Sequence, residues 1–132
     1  MRTRAIADTG LIIAYLSPRD LDHDWAVEQF ERYPFFLTCE AVITEATHLA
    51  RSPRPVVELL SRGLLRIAYQ LDGDEVRVGA LLKTYEDRPM DFADACLVRM
   101  SEQHEDCEIV TLDSDFLFYQ RHGNRPIPVA LP

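Results

Sequence analysis

Four acidic residues occupy positions where they could meet and hold a metal ion: Asp8, Glu45, Asp94 and Asp113. No basic residue stands directly beside any of them in the sequence. Carboxylates brought close together repel one another unless they take up protons or bind cations, and the lack of basic neighbours favours cations. Oxygen ligands suit Mg²⁺ or Mn²⁺, which generate hydroxide and stabilise charge on phosphorus. The four residues therefore predict metal-dependent phosphoryl chemistry.

Each of these acids also has a structural explanation when it is taken alone. An Asp that follows a strand, as Asp8 does, is more often a turn or cap residue than a ligand. Asp94 lies at the start of a predicted helix, where the helix dipole favours a negative charge. Glu45 by itself would most often be a solvated helix residue. The functional interpretation therefore depends on the conjunction of acids from four different elements.

The elements that must position these acids alternate between strands and helices. Apolar runs predict strands at 4–7, 35–38, 64–68, 108–112 and 126–129. Periodicity, caps and breakers predict helices at 11–16, 22–32, 40–51, 55–62 and 72–85, and a sixth helix that follows Asp91. The residues predicted to face the core on three of these helices are Trp25, Phe30, Val42, Ala46, Leu49, Ala93, Leu97 and Met100. The alternation predicts an α/β fold with a central, mostly parallel sheet flanked by helices on both faces.

The ends of the predicted strands decide where the acids meet. Ligand sites in open α/β sheets lie at the carboxyl ends of the strands. Asp8 and Asp113 each end a predicted strand and therefore point into the same crevice. Asp91 is a good N-cap, and Asp94 shares its face of the helix one turn later. Glu45 lies at the margin of the buried stripe of the predicted helix 40–51. From this position its side chain can reach the crevice from below.

Length and composition predict one domain that spans residues 1–132. The chain has 132 residues, of which 47% are hydrophobic, and these suffice for a single core. The N-terminus lacks a signal-peptide pattern, and no apolar run approaches the roughly 20 residues of a membrane span. The cysteines (Cys39, Cys96 and Cys107) are odd in number and form no zinc-binding pair. We therefore expect a cytoplasmic protein that does not enter a membrane.

The formal net charge of −8 is unusual for a protein that binds nucleic acid. Setting aside six acids expected at one site leaves a charge of −2, and bound divalent cations would offset more. Those six acids are Asp8, Glu45, Asp91, Asp94, Asp113 and Asp115. All basic residues except Lys83 are arginines, and four of them cluster in mid-chain at Arg51, Arg54, Arg62 and Arg66. Arginine matches phosphate oxygens well, although GC-rich codon bias explains the composition equally well.

Four segments of the chain resemble, in order and spacing, the acidic motifs of PIN domains. They are Ala-Asp8-Thr9-Gly10, Val42-Ile-Thr-Glu45-Ala46, Pro89-Met-Asp91-Phe-Ala-Asp94-Ala95 and Thr111-Leu-Asp113-Ser-Asp115-Phe116. The resemblance covers essentially the whole chain. It is closest to the bacterial VapC-like group, which contains the toxins of type II toxin–antitoxin pairs and solitary relatives.

This resemblance implies an endoribonuclease that hydrolyses RNA phosphodiester bonds with Mg²⁺ or Mn²⁺. The implied catalytic residues are Asp8, Glu45, Asp94 and Asp113, of which Asp8, Asp94 and Asp113 would be metal ligands. The implied auxiliary residues are Asp115, Asp91, Thr9 and Thr111. Many relatives have a serine cap at the position of Asp91 and a polar residue at that of Gly10. The family also implies a homodimer and, for a toxin, a small antitoxin protein as partner.

Other functional classes find less support in the residues. The pattern Glu45-x-x-His48 matches one half of a di-iron site, but the second copy that such a site needs is absent from the sequence. Asp113-x-Asp115 matches the paired aspartates of haloacid-dehalogenase-like phosphatases, but those follow an N-terminal strand. Neither a serine-hydrolase elbow nor a glycine-rich phosphate loop is present. The alternative that stays open is a non-catalytic PIN-fold protein that binds a metal or a partner.

Overall fold

The computed structural model describes residues 3–132, and a five-stranded sheet with only parallel neighbours lies at its centre. Seven strands form in this part of the chain: β1 (Arg4–Ala7), β2 (Phe36–Thr38), β3 (Leu65–Ile67), β4 (Cys107–Val110), β5 (Gln120–Arg121), β6 (Arg125–Pro126) and β7 (Val129–Ala130). The central sheet has the order β3-β2-β1-β4-β7, while β5 and β6 form a separate antiparallel pair.

Six helices flank the sheet, as the alternating pattern predicted. They are α1 (Thr9–Leu16), α2 (His23–Arg32), α3 (Glu40–Leu49), α4 (Arg54–Ser61), α5 (Glu75–Thr84) and α6 (Phe92–Gln103). A short 3₁₀ helix covers Ser114–Leu117. The prediction of an α/β fold is confirmed. None of these helices combines the length and apolar character that a bilayer span requires, within residues 3–132.

The order of the strands creates a crevice between β1 and β4. From β1 the chain adds β2 and then β3 on one side, and it later returns to place β4 on the other side. The two strands pair in register from Arg4 opposite Cys107 to Ala7 opposite Val110, so their carboxyl ends are level. Ligands in open α/β sheets bind where the strand order reverses in this way.

The core is built around β1, β4 and α6. Eight of the twelve residues of α6 are buried, so this helix is covered on almost every side. The predicted stripe of Ala93, Leu97 and Met100 is buried, which confirms the interpretation of this segment. The three cysteines are also buried and unbonded to one another as disulfides.

One prediction about a core-facing residue was wrong. Leu49 is 58% exposed, and α3 ends at this residue. On α2, Trp25 and Phe30 are partly buried and pack against the core, as predicted, while the most buried positions of this helix are Ala26 and Gln29. The ring of Phe30 stacks on that of Tyr15 in α1, with 3.8 Å between the ring centres.

Several predicted boundaries also differ from the structure. The helix predicted at 11–16 begins two residues earlier, at Thr9, where Asp8 caps it. The strand expected at 108–112 ends at Val110, so Asp113 follows it after a short connection. The last predicted strand, 126–129, is divided between β6 and β7. β7 lies at the edge of the central sheet, where it pairs with β4 alone.

Candidate active site

Asp8 lies at the carboxyl end of β1 and begins α1. Its backbone N–H donates to the carbonyl of Val110 at 3.2 Å, which extends the pairing of β1 with β4 by one residue. Its Oδ1 atom accepts from the backbone N–H of Thr9 at 2.7 Å, so the side chain caps the helix. This short cap directs the carboxylate into the crevice, where the positive end of the helix dipole favours a negative charge.

Thr111 connects Asp8 to Asp113. Its fully buried hydroxyl donates to Asp8 Oδ2 at 2.6 Å and accepts from the backbone N–H of Asp113 at 2.9 Å. Asp113 in turn caps the 3₁₀ helix, because its Oδ1 accepts from the backbone N–H of Asp115 at 2.9 Å. One hydroxyl therefore positions an acid from the end of β1 relative to an acid that follows β4.

Asp91 and Asp94 form a reciprocal cap at the start of α6. Asp91 Oδ1 accepts from the Asp94 N–H at 2.8 Å, and Asp94 Oδ2 accepts from the Asp91 N–H at 3.4 Å. The predicted N-cap role of Asp91 is thus observed in the structure. Asp94 is only 8% exposed, whereas Asp91 is exposed. The buried carboxylate also accepts from the Tyr119 hydroxyl at 3.3 Å.

Glu45 reaches the same region from α3. Its Oε1 accepts from the Thr9 hydroxyl at 2.6 Å, which links α3 to the first turn of α1. Thr9 is buried, and this contact uses the side chain of the residue directly after Asp8. Both threonines that the sequence singled out therefore donate to a candidate catalytic carboxylate.

Five carboxylates line one open cleft of about 410 Å³. The residues around this carboxylate cleft are Asp8, Thr9, Gly10, Glu45, Leu49, Asp91, Asp94, Leu112 and Asp113. Leu49, which was expected in the core, forms part of its rim. The structure thus brings together the four acids predicted as catalytic, with Asp91 beside them.

Asp115 is the candidate that the structure does not bring into the carboxylate cleft. Its Oδ1 atom accepts from Arg88 Nη2 at 3.0 Å, and both side chains are partly exposed. Asp115 therefore has a basic partner, unlike the four acids predicted as catalytic, within the part of the chain that the structure describes. Arg88 also lies over the ring of Phe118, with 4.0 Å between the guanidinium carbon and the ring centre.

Gly10 sits where the first turn of α1 approaches the connection after β4. A Cβ atom at this position would lie 3.2 Å from Leu112 Cδ1 and 3.3 Å from Leu112 Cβ. Such contacts are tighter than ordinary van der Waals packing. A larger residue at this position would require the Leu112 side chain to move by a few tenths of an ångström.

Burial and mutual repulsion raise the pKa values of two acids in the cleft. Burial is the largest cause of the rise for Asp8, to about 6, and the charges of Asp113 and Glu45 add to it against the hydrogen bonds from Thr111 and Thr9. For Asp94 burial raises the pKa to about 7, and the charges of Asp91, Asp8 and Asp113 contribute further. The carboxylate cleft therefore holds more negative charge than its own residues compensate.

The donor set of the cleft fits a hydrated, hard cation. Within residues 3–132, no three acidic, histidine or cysteine side chains converge into a ready-made metal-binding group. Mg²⁺ keeps several of its waters and needs only one or two protein carboxylates, so a wider acidic cleft suits it. Asp8, Asp94 and Asp113 have the required oxygen atoms, and their repulsion would be relieved by a divalent charge.

The sequence analysis missed Tyr119 and Arg88 as neighbours of the candidate acids. The Tyr119 hydroxyl contacts a carboxylate 25 positions earlier, and Arg88 pairs with one 27 positions later. No local spacing links such residues. A buried tyrosine directly after a helical turn was the only available signal, and it predicts packing as readily as function.

Two comparisons with known proteins complete the description of the site. A family model described as PIN domain matches residues 5–121. The matched region contains all five carboxylates of the cleft and both threonines that donate to them. A search of the curated proteins found no match.

Proposed function

Since the chain belongs to the PIN-domain family, whose members are generally metal-dependent nucleases, we propose that it is an endoribonuclease dependent on Mg²⁺ or Mn²⁺. The observation that supports this proposal most directly is the pair of buried carboxylates of Asp8 and Asp94. Both lie in one cleft at the ends of β1 and β4, and neither forms an ion pair with a basic side chain of residues 3–132. Their caps stabilise the starts of α1 and α6, but burying two carboxylates close to other acids opposes folding, and a bound cation would relieve that repulsion.

We assign the roles of the residues from their contacts. Asp8, Asp94 and Asp113 would hold the cation, which when bound lowers the pKa of water and stabilises charge on the phosphoryl group. Thr111 fixes the orientation of Asp8 and the backbone of Asp113. Glu45, oriented by the Thr9 hydroxyl, would accept the proton of the attacking water, since it lines the same cleft as the proposed metal ligands. Asp91 orders the start of α6 and adds charge at the mouth.

The VapC-like character of the four motifs supports a more specific proposal. We infer the toxin of a type II toxin–antitoxin pair, with RNA as its substrate, a small antitoxin protein as its partner and a homodimer as its working form. Residues 1–132 would form one PIN-like domain. Asp115 is assigned a minor, auxiliary role, because Arg88 already compensates its charge.

One observation favours the alternative of a non-catalytic binding protein. The acids of the cleft do not converge into a closed set of ligands among residues 3–132. A protein that kept the fold and acted only through a partner would not need such convergence. The two functions differ in one measurable property, which is the ability of the purified protein to cut RNA.

Cleavage of single-stranded RNA by the purified protein tests the proposal. We expect cleavage with Mn²⁺ or Mg²⁺, none in excess EDTA, and recovery when metal is added back. An Asp8→Asn variant purified in the same way controls for contaminating nucleases and should be inactive. Asp24→Asn changes an exposed acid on α2 that lies outside the cleft, and it should be fully active. Undiminished cleavage in EDTA, or intact RNA under all conditions, would contradict the proposal.

The toxin assignment has its own test in growing cells. Expression of the parent chain alone should arrest growth, and Asp8→Asn at the same soluble level should not. Equal growth with both proteins would leave the nuclease proposal standing and remove the toxin assignment.

A further inference from the structure

A second cavity, of about 640 Å³, adjoins the carboxylate cleft between α3 and α6. We call it the side groove. Its walls include Ala41 and His48 on α3, and Phe92 and Ala93 on α6. Glu45 and Asp91 line both the side groove and the carboxylate cleft. A ligand with one group in the cleft can therefore extend into the groove without leaving the protein surface.

Phe92 is the feature of the side groove that calls for an explanation. It is the first residue of α6, directly after Asp91, and it is 45% exposed. Phe118 is comparably exposed at 49%, but its ring contacts Tyr85 and the guanidinium of Arg88. Among the described aromatic residues, no ring contact or cation–π contact involves Phe92. A phenyl ring thus faces an open groove, two residues from a buried acid of the cleft.

The side groove suits a flat, largely apolar group, and a phosphate attached to that group would lie in the adjoining carboxylate cleft. Alanine side chains leave room beside the ring, and the volume falls within the roughly 300–1,000 Å³ of small-molecule pockets. His48 is the only lining residue with a nitrogen in its side chain, and it can donate to a base edge or to a backbone phosphate. Single-stranded nucleic acids are commonly bound by stacking their bases on exposed aromatic rings.

We propose that the side groove holds the base of a nucleotide next to the phosphate that is cleaved, stacked on the ring of Phe92. The inference depends on the proposed function, because it takes the carboxylate cleft as the place of the scissile phosphate. The occupant is a base of single-stranded RNA, since a paired base has no free face to offer. Every base has such a face, so the groove selects for an unstacked nucleotide at one position and tolerates any sequence there.

A double-mutant cycle between Phe92 and the bases of an RNA oligonucleotide tests the proposal. Binding is measured by fluorescence anisotropy in an Asp94→Asn background, which prevents cleavage, with oligonucleotides that carry one abasic site at successive positions. One abasic position should weaken binding about 5- to 150-fold, the range that corresponds to about 1–3 kcal/mol for a stacked base. In the Phe92→Ala variant the same abasic site should cause almost no further loss.

Two other variants test whether the coupling requires a stacked ring in the groove. One controls for the size of the side chain, and the other controls for the loss of an exposed ring elsewhere on the surface. Phe92→Leu keeps an apolar side chain of similar size and should lose most of the coupling, because it lacks a π face. Phe118→Ala removes an equally exposed ring outside the groove and should keep the full penalty at the critical abasic position. Phe92 is half exposed at a helix start, so its replacement removes little packing.

The outcomes distinguish this inference from the proposed function. If the parent cleaves RNA with metal but no abasic position couples to Phe92, the side groove is not a base site and the nuclease proposal stands. If coupling is found but the parent never cleaves RNA, the base site stands and the catalytic assignment fails. Absence of any binding to the intact oligonucleotide would overturn the base site.

Discussion

Helix α6 contributes to two groups of buried acids that differ in how their charge is compensated. At its start, Asp94 faces the other carboxylates of the cleft. Farther along, Arg99 donates to Asp74, the N-cap residue of α5, through Nε at 2.8 Å and Nη2 at 3.0 Å. Asp74 also accepts from the Tyr69 hydroxyl at 2.6 Å. We call the second group the Asp74–Arg99 pair.

The comparison shows how a cationic partner changes the pKa of an acid that is shielded from water. Asp94 is 8% exposed and Asp74 is 7% exposed, but Asp94 is enclosed more deeply by the protein, so burial acts more strongly on it. The hydrogen bonds from Arg99 lower the pKa of Asp74, whereas burial and neighbouring acids raise the pKa of Asp94 to about 7. The guanidinium outweighs burial at Asp74, while the backbone hydrogen bond at Asp94 does not offset its deeper burial and the neighbouring charges. The Asp74–Arg99 pair therefore stabilises the fold, whereas the repulsion among the acids of the cleft destabilises it.

The largest expected effect is on catalysis, and it comes from Asp94→Asn. The amide keeps the shape and one acceptor oxygen, but it is a poor ligand for a hard cation, so RNA cleavage should fall by orders of magnitude. Without metal the variant should be as stable as the parent or more stable, because one repelling charge is gone. Parallel cleavage assays and thermal melts in EDTA at pH 7.5 measure both. Near-parental cleavage would remove Asp94 from the site.

The same substitution at the other acid should give the opposite pattern. Asp74→Asn leaves the charge of Arg99 with only Glu102 as an acidic partner, so the free energy of unfolding should fall by about 3 kcal/mol. Cleavage measured well below the melting temperature should be unchanged, because Asp74 lies outside the carboxylate cleft. Denaturant unfolding gives the stability. A stable but inactive variant would mean that the two groups of acids are not separate in function.

Stability of the metal-free protein should fall as the pH rises from about 4 to about 7. Asp8 and Asp94 bind protons more tightly in the folded state, with pKa values of about 6 and about 7, than in the unfolded chain. Their protonation therefore stabilises the fold at low pH, and that gain, on the order of a few kcal/mol, is lost as the pH passes through the folded values.

The lowered pKa of Asp74 acts in the opposite direction, but only at lower pH, where its charged form is lost. Thermal melts in EDTA across this range measure the slope, and Asp94→Asn should flatten it. Saturating Mn²⁺ should raise stability most at the upper end, where the acids are ionised. A stability that rises steadily from pH 4 to pH 7 would contradict the electrostatic description of the cleft.

The smallest expected effect comes from the hydroxyl behind the cleft. Thr111→Val keeps the shape but removes the donor to Asp8 and the acceptor for the Asp113 N–H, so cleavage should fall about 10- to 100-fold. Loss of that donor raises the pKa of Asp8, and the acid limb of the pH–rate profile should move to higher pH. Thr84→Val removes an exposed hydroxyl that bonds only within its own helix and is the matched control. If the pH–rate profile did not move, Thr111 would contribute only to packing.

The sequence correctly predicted those elements whose apolar pattern is clear within a short segment. The predictions for β1 and for the stripe of α6 were correct because their apolar residues are buried. The start of α1 was not predicted, since Thr9 and Gly10 are poor helix formers and the helix there depends on the cap from Asp8 and on packing against Leu112. Tertiary contacts decide such positions, and the residues that supply them are distant in sequence.

The candidate site was predicted from residue types and order, and its catalytic roles stay predictions. Strand ends and helix caps were enough to bring Asp8, Asp94 and Asp113 to one crevice, because these features follow from backbone geometry. The spacing of apolar residues in α3 placed Leu49 in the core, and this prediction was wrong. An apolar residue at the end of a helix can line a cleft equally well. Charge pairing over long sequence distances, as between Arg88 and Asp115, leaves no pattern in a single sequence.

The hydrogen bond from Thr111 to Asp8 joins residues 103 positions apart, and this separation has a consequence for protein synthesis. Chains fold as they emerge, with N-terminal segments first, at about 5–20 residues per second. The growing chain holds Asp8 and Glu45 long before β4 and Asp113 have been translated. During that interval the cleft lacks Asp91, Asp94 and Asp113, so the nascent chain has no complete site until these residues have been made, on a ribosome that is itself built largely of RNA.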